Sequence, residues 1–237
     1  MSFMDLPVMP PVAPMLAKAV TSVPPQPDGS VAWSYEPKWD GFRALVFRDG
    51  DEVTIGSRGG KDLARYFPEI VAAVKDELPD KVVLDGEIGV PALIGDTHRL
   101  DWDSLAQRIH PAESRVTMLA EKTPAIFIGF DALALESTSV MAEPFEVRRE
   151  ALLRPVGPGG RDRRVHVSRV TSDPAVAEDW FSAFEGAGLD GVVAKRLDGV
   201  YVENKREMLK IKHKRTADCV IFGYRIHKSG TGIGSVS

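Results

Sequence analysis

Short, strongly apolar segments separated by turn residues constrain the fold of this chain more than any other feature. The clearest are Phe42–Phe47, Lys81–Val90, Ala125–Leu133 and Gly191–Arg196, which have the length of strands. Between and after them, amphipathic patterns predict helices over Leu63–Leu78, Asp101–Ile109, Pro144–Leu153 and Pro174–Gly186. Strands interleaved with helices, with a tight turn at residues 49–51, predict an α+β domain of mostly antiparallel sheets flanked by helices.

Composition excludes several classes of protein. An apolar fraction of 43% is typical of a packed globular chain, and a net charge of -4 gives no overall basic character. A nucleic-acid partner would therefore have to be held by a local basic surface. The single cysteine, Cys219, rules out an intrachain disulfide and is typical of a reducing compartment. Because no apolar run reaches the roughly 20 residues needed to span a bilayer, we expect a cytoplasmic protein with no membrane association.

The two ends of the chain differ from its middle. Prolines recur through residues 1–27, so this segment is predicted to be an extended arm without regular structure, pinned to the domain by Pro14–Ala17. At the other end, Ala217–Ile226 is an apolar strand that begins a new run. We therefore expect one domain over residues 1–215, and a linker with the first strand of a second, truncated domain over residues 216–237.

Charged and aromatic residues accompany the predicted strands, and nearly all of them are expected at or just beyond strand ends. Strand ends that meet at one rim of a sheet commonly form a ligand site. The set combines cations for a polyphosphate, carboxylates for a divalent metal and an aromatic face for a base, which suits a nucleoside triphosphate. The chain has neither a P-loop nor a dinucleotide-binding glycine motif. The residues are Lys38, Asp40, Arg43, Arg58, Asp85, Glu87, Phe130, Asp131, Asp190, Lys195, Lys210 and Lys212.

These residues form a recognisable series. Lys38–Arg43 matches KxDGxR, and it is followed in order by Ser57-Arg58-Gly59, Asp85-Gly86-Glu87, Phe130-Asp131, Asp190–Lys195 and Leu209–Lys212. The series resembles the motifs of the covalent nucleotidyltransferases, and in particular the adenylation domain of ATP-dependent DNA ligases. Pro14–Ala17 and the Arg148-Arg149 pair are similar to bacterial DNA ligase C and the ligase domain of ligase D.

The resemblance implies a fold and a reaction. The fold would be an ATP-grasp-like nucleotidyltransferase (adenylation) domain followed by the truncated start of an OB-fold. Lys38 would attack the α-phosphate of ATP to form a covalent lysyl-AMP and release pyrophosphate. AMP would pass to the 5′-phosphate of a nick in double-stranded DNA, and the 3′-hydroxyl would then seal the strand. Without the rest of the OB-fold, we expect slow self-adenylation and poor sealing.

The resemblance also assigns roles to residues. Arg43 and Glu87 would contact the ribose, Phe130 would stack on adenine, and Glu36 would lie at the adenine edge. Lys210 and Lys212 would reach the α-phosphate. Arg58 would contact the ribose or the 5′-phosphate of the nick.

The implied metal is Mg²⁺ or Mn²⁺, with Asp190 and Asp40 as its ligands. Asp190 stands where the family usually has glutamate, so its side chain is shorter by one methylene. Ku or a primase–polymerase is implied as a partner of a monomeric enzyme in DNA repair.

Other interpretations of the same residues stay open. Phe130 also suits an ordinary core position, Asp190 a turn, Arg58 a solvated loop, and Lys205–Arg215 a solvated basic face that would otherwise contact DNA. At the level of function, the alternatives are an RNA ligase or capping-type nucleotidyltransferase, and a non-catalytic module that binds nucleotide or DNA. Labelling with ATP or GTP separates the first alternative, and replacement of Lys38 tests the second.

Overall fold

The structure is a computed structural model that describes residues 4–94, 97–156, 163–183, 189–213 and 222–236. Its helices are α1 (Pro68–Glu77), α2 (Trp102–Ala106), α3 (Glu113–Lys122), α4 (Phe145–Val156) and α5 (Pro174–Ala183). Its strands are β1 (Leu16–Val20), β2 (Trp33–Trp39), β3 (Phe42–Asp49), β4 (Glu52–Ser57), β5 (Lys81–Gly89), β6 (Pro91–Ile94), β7 (Thr97–Leu100), β8 (Ile126–Leu135), β9 (Thr138–Ser139), β10 (Val165–Val167), β11 (Leu189–Arg196), β12 (Arg206–Lys212), β13 (Tyr224–Ile226) and β14 (Ile233–Val236).

Two main sheets form the domain. The four-stranded sheet has the order β1-β12-β11-β2, and the six-stranded sheet has the order β10-β8-β5-β3-β4, with β9 paired to β8. Pairing is antiparallel in both sheets except for β1 with β12 and β10 with β8. The predicted α+β fold of mostly antiparallel sheets flanked by helices is therefore confirmed.

Three apolar clusters hold the helices against the sheets and the two sheets against each other. α1 and α4 cover one face of the six-stranded sheet, where Phe67, Ile70 and Leu152 are buried. α5 covers one face of the four-stranded sheet. The remaining faces of the two sheets meet each other, and Phe47 and Met208 pack together between them. The stabilising burial of apolar area is thus spread over both sides of each sheet.

Alternation along the strands decides which side chains face the space between the sheets. In β11, Val192 and Ala194 point to the α5 side, so Val193 and Lys195 point inward. In β3, Ala44 and Val46 face the helices, so Arg43 points inward. Polar residues on the inward face of each strand therefore share the space between the two sheets.

The expectation that the polar residues lie at or just beyond strand ends is correct only in part. Lys38 is next to the last residue of β2, and Asp40 and Arg58 directly follow strands. Phe130 instead lies well inside β8. Asp85 and Glu87 belong to the continuous strand β5 and do not interrupt it. They tolerate these positions because both sheets turn a face toward the same polar cavity, which supplies partners for groups that would otherwise be costly to bury.

The prediction that residues 1–27 lack regular structure is wrong in one part. Leu16–Val20 forms β1, which pairs in parallel with β12. This segment contains no proline, so every residue in it has the N–H group that a sheet requires. The N-terminal arm, residues 1–27, thereby adds an edge strand to the four-stranded sheet.

The helix predicted over Leu63–Leu78 is divided. A 3-10 turn covers Ala64–Tyr66, and α1 begins at Pro68. Proline disfavours helical geometry in the residue before it, and Phe67 has φ −131° and ψ 58°. Helix α3 and the β6–β7 hairpin were not predicted.

At the C-terminal end, the predicted strand Ala217–Ile226 lies largely outside the described residues, and so does Cys219. Its final part is β13, which pairs with β14 as a hairpin. The assignment of residues 216–237 to an OB-fold stays a prediction. In the described ranges, no helix is both long and apolar enough to cross a bilayer.

Candidate active site

A cavity of about 460 Å³ opens between the inward faces of the two sheets. Strands β1, β2, β3, β5, β8, β11 and β12 all contribute to its wall. The predicted site residues that line it are Glu36, Lys38, Arg43, Arg58, Glu87, Phe130, Lys195 and Lys210. Residues from both main sheets, separated by up to 174 positions, are thus gathered around one space.

Lys38 is held by a carboxylate on the neighbouring strand. Its Nζ donates a hydrogen bond to Asp190 Oδ2 at 2.9 Å, and Lys212 Nζ lies 2.6 Å from the same oxygen. Burial alone would raise the pKa of Asp190, but the hydrogen bonds from Lys212 and Lys38 outweigh it and hold the pKa below its usual value. Asp190 and Lys212 therefore join the site through Lys38, although neither lines the cavity wall.

A bulge aims Asp190 at Lys38. The register between β11 and β2 shifts between Leu189 and Gly191, and Gly191 pairs with Lys38. Bulges of this kind redirect a side chain. Gly191 has φ +137°, and a Cβ atom there would lie 1.9 Å from the carbonyl oxygen of Ile211. Only glycine fits this backbone, so the geometry requires glycine at position 191, directly after Asp190.

Glu36 is almost completely buried beside the same cavity. Its Oε1 lies 2.7 Å from Lys195 Nζ, which also donates to the Phe130 carbonyl at 2.8 Å. The second oxygen, Oε2, has no hydrogen-bond partner among the described residues. Burial raises the pKa of Glu36, and the Lys195 ammonium opposes that rise.

Arg43 is fixed by a buried ion pair with Asp85. Nε and Nη2 of the guanidinium each lie 2.6 Å from one oxygen of the Asp85 carboxylate, which is fully buried. Such a two-point contact sets both the position and the plane of the guanidinium. Arg43 also lies over the Phe130 ring, 4.6 Å from its centre.

Tyr201 and Met15 complete this network. Met15 belongs to the segment Pro14–Ala17 that the sequence had singled out, whereas no motif identified Tyr201. The Tyr201 hydroxyl donates to Asp85 Oδ2 at 2.7 Å and accepts the Met15 N–H at 3.0 Å. Burial and the Asp85 carboxylate raise the pKa of Tyr201, so the hydroxyl stays a donor. The only hint of Tyr201 in the sequence was that a buried Asp85 needs partners.

Glu87 lies near the start of β3. Its Oε1 accepts the Gly41 N–H at 3.1 Å. Burial raises the pKa of Glu87 to about 7, and Arg43 and Lys38 limit the rise. With its pKa raised toward neutrality, the carboxyl group can take a protonated form that donates a hydrogen bond as well as an ionised form that accepts one.

The far wall of the cavity is cationic. Arg58 and Lys210 line it together with Arg206, from the basic run Lys205–Arg215, and Lys18, which was not predicted. Burial lowers the pKa of Lys210, and the neighbouring cations Lys212, Lys38, Arg58 and Arg206 lower it further. Several cations converging on one space create a positive potential that favours an anion.

Asp40 behaves differently from the other predicted residues. It follows β2 and is not part of the cavity wall that the described residues form. Among those residues, no group of three or more His, Cys, Asp and Glu side chains could hold a metal ion by itself. Asp190 fits a Mg²⁺ ion of the kind that takes one or two carboxylates and relies on substrate phosphates and water for its other ligands.

Residues 14–212 match the ATP dependent DNA ligase domain family. The chain is 64% identical over 233 residues to DNA ligase C1 of Mycolicibacterium smegmatis and 56% identical over 236 residues to DNA ligase C of Mycobacterium tuberculosis. Each comparison covers 98% of this chain, which spans 65% and 63%, respectively, of the length of these relatives.

Solved structures show the same fold. The ligase domain of LigD from M. tuberculosis matches with a TM-score of 0.62 and 30% identity, covering 95% of this chain and 67% of that one. A mycobacterial DNA ligase D complexed with ATP and MES matches with a TM-score of 0.63 and 30% identity, covering 95% and 66%.

Proposed function

Because the chain belongs to the family of ATP-dependent DNA ligase domains, we propose that it is the adenylation domain of a DNA ligase. In the first step, Lys38 Nζ attacks the α-phosphorus of ATP. A P–N bond forms, the bond from the α-phosphorus to the bridging oxygen breaks, and pyrophosphate leaves. The observation that carries the proposal is the position of Lys38 Nζ at the wall of a cationic cavity, 2.9 Å from Asp190.

Asp190 and its neighbours prepare this nucleophile. An amine attacks only through its unshared electron pair, so the Lys38 ammonium must first lose a proton. Asp190 accepts a hydrogen bond from Nζ and so fixes the position of the amine beside the cavity. Lys210 and Lys212 then stabilise the charge that develops on the phosphate oxygens.

The rest of the cavity divides into a ribose end and a base end. At the ribose end, Arg43 and Glu87 bind the sugar hydroxyls, and Glu87 can do so as donor or acceptor. At the base end, Phe130 stacks on adenine and Glu36 Oε2 accepts a hydrogen bond from its edge. Arg58 contacts the ribose or the 5′-phosphate of the nick.

A divalent ion, Mg²⁺ or Mn²⁺, is proposed as the cofactor, held by Asp190 together with nucleotide phosphates and water. When bound, it would neutralise charge on the phosphates. Asp40 is kept as a second candidate ligand. Asp190 is the better supported of the two, because its carboxylate lies 2.9 Å from Lys38 Nζ.

The later steps use nicked double-stranded DNA as the substrate. AMP passes from Lys38 to the 5′-phosphate, and the 3′-hydroxyl then attacks that phosphate and releases AMP. Exposed cations beside the cavity, Lys18 among them, suit the DNA backbone, so binding would weaken steeply with added salt. We propose action in the cytoplasm as a monomer in DNA repair, with Ku or a primase–polymerase as a partner.

Intact-mass measurement tests the chemistry. After incubation with ATP and Mg²⁺, the protein should gain the mass of one AMP, and Lys38→Ala should gain none. Lys122→Ala, which replaces an exposed lysine on α3, is the matched control and should gain AMP normally. Labelling of Lys38→Ala would reject the covalent mechanism, and a gain of GMP from GTP would favour a capping-type enzyme.

A further inference from the structure

Lys195 joins the two parts of the cavity that face the base. Its ammonium lies on β11, in the four-stranded sheet, and is only 2% exposed. It contacts Glu36 on the adjacent strand at 2.7 Å and the Phe130 carbonyl, in the other sheet, at 2.8 Å. One buried cation thus fixes both an aromatic residue and a carboxylate of the cavity wall.

The ion pair with Lys195 leaves one oxygen of the Glu36 carboxylate free to accept a hydrogen bond from a ligand. Lys195 occupies Oε1, while Oε2 is buried and has no hydrogen-bond partner among the described residues. A buried polar atom without a partner is costly, so it favours a ligand that supplies a donor at that point. An ionised carboxylate can only accept hydrogen bonds.

A second cation supports this state of Glu36. Arg149 acts on the Glu36 carboxylate electrostatically, after Lys195 in strength. Its Nη2 is held by the Ser168 carbonyl at 2.6 Å. Without Lys195, burial would drive Glu36 toward its protonated form, whose O–H can donate.

We propose that Lys195 is a positioning residue that sets the preference of the cavity for a 6-amino purine over a 6-oxo purine. It does so by orienting Glu36 so that Oε2 meets position 6 of the base as an acceptor only. An amino group satisfies this oxygen, whereas a carbonyl oxygen faces it with like charge. The inference rests on the proposed function, because it places the base of the nucleotide at Glu36 and Phe130.

The test compares equilibrium binding of ATP and of ITP, whose base carries a carbonyl oxygen at position 6, to the whole chain by calorimetry. Lys195→Met removes the ammonium but keeps an unbranched side chain. Its preference for ATP over ITP should fall about tenfold, which is the size of effect produced by one mismatched buried hydrogen bond. Lys122→Met, on the exposed face of α3, should keep the wild-type ratio.

A purely structural role for Lys195 predicts a different result. Looser packing would weaken ATP and ITP equally, so an unchanged ratio in a folded Lys195→Met protein would overturn the proposal. If that variant does not fold, the double variant Glu36→Gln with Lys195→Met removes the unbalanced charge. Its glutamine can donate as well as accept, so the ATP preference should again fall about tenfold, and an unchanged ratio would overturn the proposal.

The same samples separate this inference from the ligase function. Failure of the wild-type protein to gain AMP, combined with a ratio that responds to Lys195→Met, would refute the covalent chemistry and leave the base-recognition role standing. If the wild-type protein gains AMP normally and neither Lys195→Met nor the double variant changes the ratio of ATP to ITP binding, the covalent chemistry stands and the role of Lys195 is refuted. A wild-type protein that binds ATP and ITP equally would also overturn the role of Lys195.

Discussion

The hydroxyl group of Tyr201 should contribute strongly to both stability and nucleotide binding. Tyr201→Phe removes one oxygen and keeps the ring. The oxygen donates to the ionised Asp85 at 2.7 Å and accepts the Met15 N–H at 3.0 Å. A buried hydrogen bond to a charged group contributes about 1.5–3 kcal/mol and a neutral one about 0.5–1.5 kcal/mol, so the variant should lose about 2–4 kcal/mol.

Thermal unfolding measures this loss. For a chain of this size, about 2–4 °C is expected per kcal/mol, so Tm should fall by roughly 5–15 °C. ATP should also bind more weakly, because Met15 and the start of β1 form part of the cavity wall. Arg43 keeps both of its contacts with Asp85, so the protein should still fold.

The matched control is Tyr224→Phe, since Tyr224 is 65% exposed. That variant should melt within about 1–2 °C of the wild type, as is typical for a surface change. A Tyr201→Phe protein as stable as the control would refute the network, because the hydroxyl could not then be the partner of a buried Asp85.

Three further outcomes are expected. Gly191→Ala places a Cβ atom 1.9 Å from the Ile211 carbonyl oxygen at φ +137°, so it should cost about 3 kcal/mol or more in chemical denaturation and abolish AMP attachment. Asp190→Asn leaves Lys38 and Lys212 without their shared carboxylate. Because a hydrogen bond to a charged group contributes about 1.5–3 kcal/mol, AMP attachment should slow at least about tenfold in a mass-spectrometric time course. Glu87, with a pKa raised from 4.5 to about 7, keeps its proton in the folded state while the unfolded chain loses it, so its own contribution to stability should fall as pH rises from 4.5 to 7 and then level off. Glu87→Gln should remove about 1–3 kcal/mol of that decline in denaturation curves measured across this range, and an unchanged slope would contradict the assignment.

The local sequence was sufficient for the class of fold. Apolar segments such as Phe42–Phe47 and Ala125–Leu133 predicted strands, and both are strands in the structure. Their apolar composition and their length are local properties, so they can be recognised without knowing the neighbouring strand. The division of Leu63–Leu78 at Pro68 and the missed helix α3 show the limit of such patterns at element boundaries.

The same local information failed for the arm. β1 is a strand because β12 offers it a parallel edge about 190 positions later in the chain. Proline content indicated only where a strand could not form. Which segment pairs with a free edge depends on how the whole sheet is assembled, and that is not encoded in the segment itself.

For the site, the sequence by itself determined the inventory. The motif series placed Lys38 as the proposed nucleophile, and it named Glu36, Glu87 and Lys210, which all line one cavity. Such motifs can be recognised in the sequence because the chemistry of a nucleotide restricts the types of residue that can bind it.

Only the tertiary structure decided how these residues are held. It paired Lys38 with Asp190, Arg43 with Asp85 and Glu36 with Lys195, across separations of 152, 42 and 159 positions. It also added Tyr201, which belongs to no motif. A buried charge must find a partner, but burial and partner are both created when the two sheets close on each other, so no single segment of the sequence can specify them.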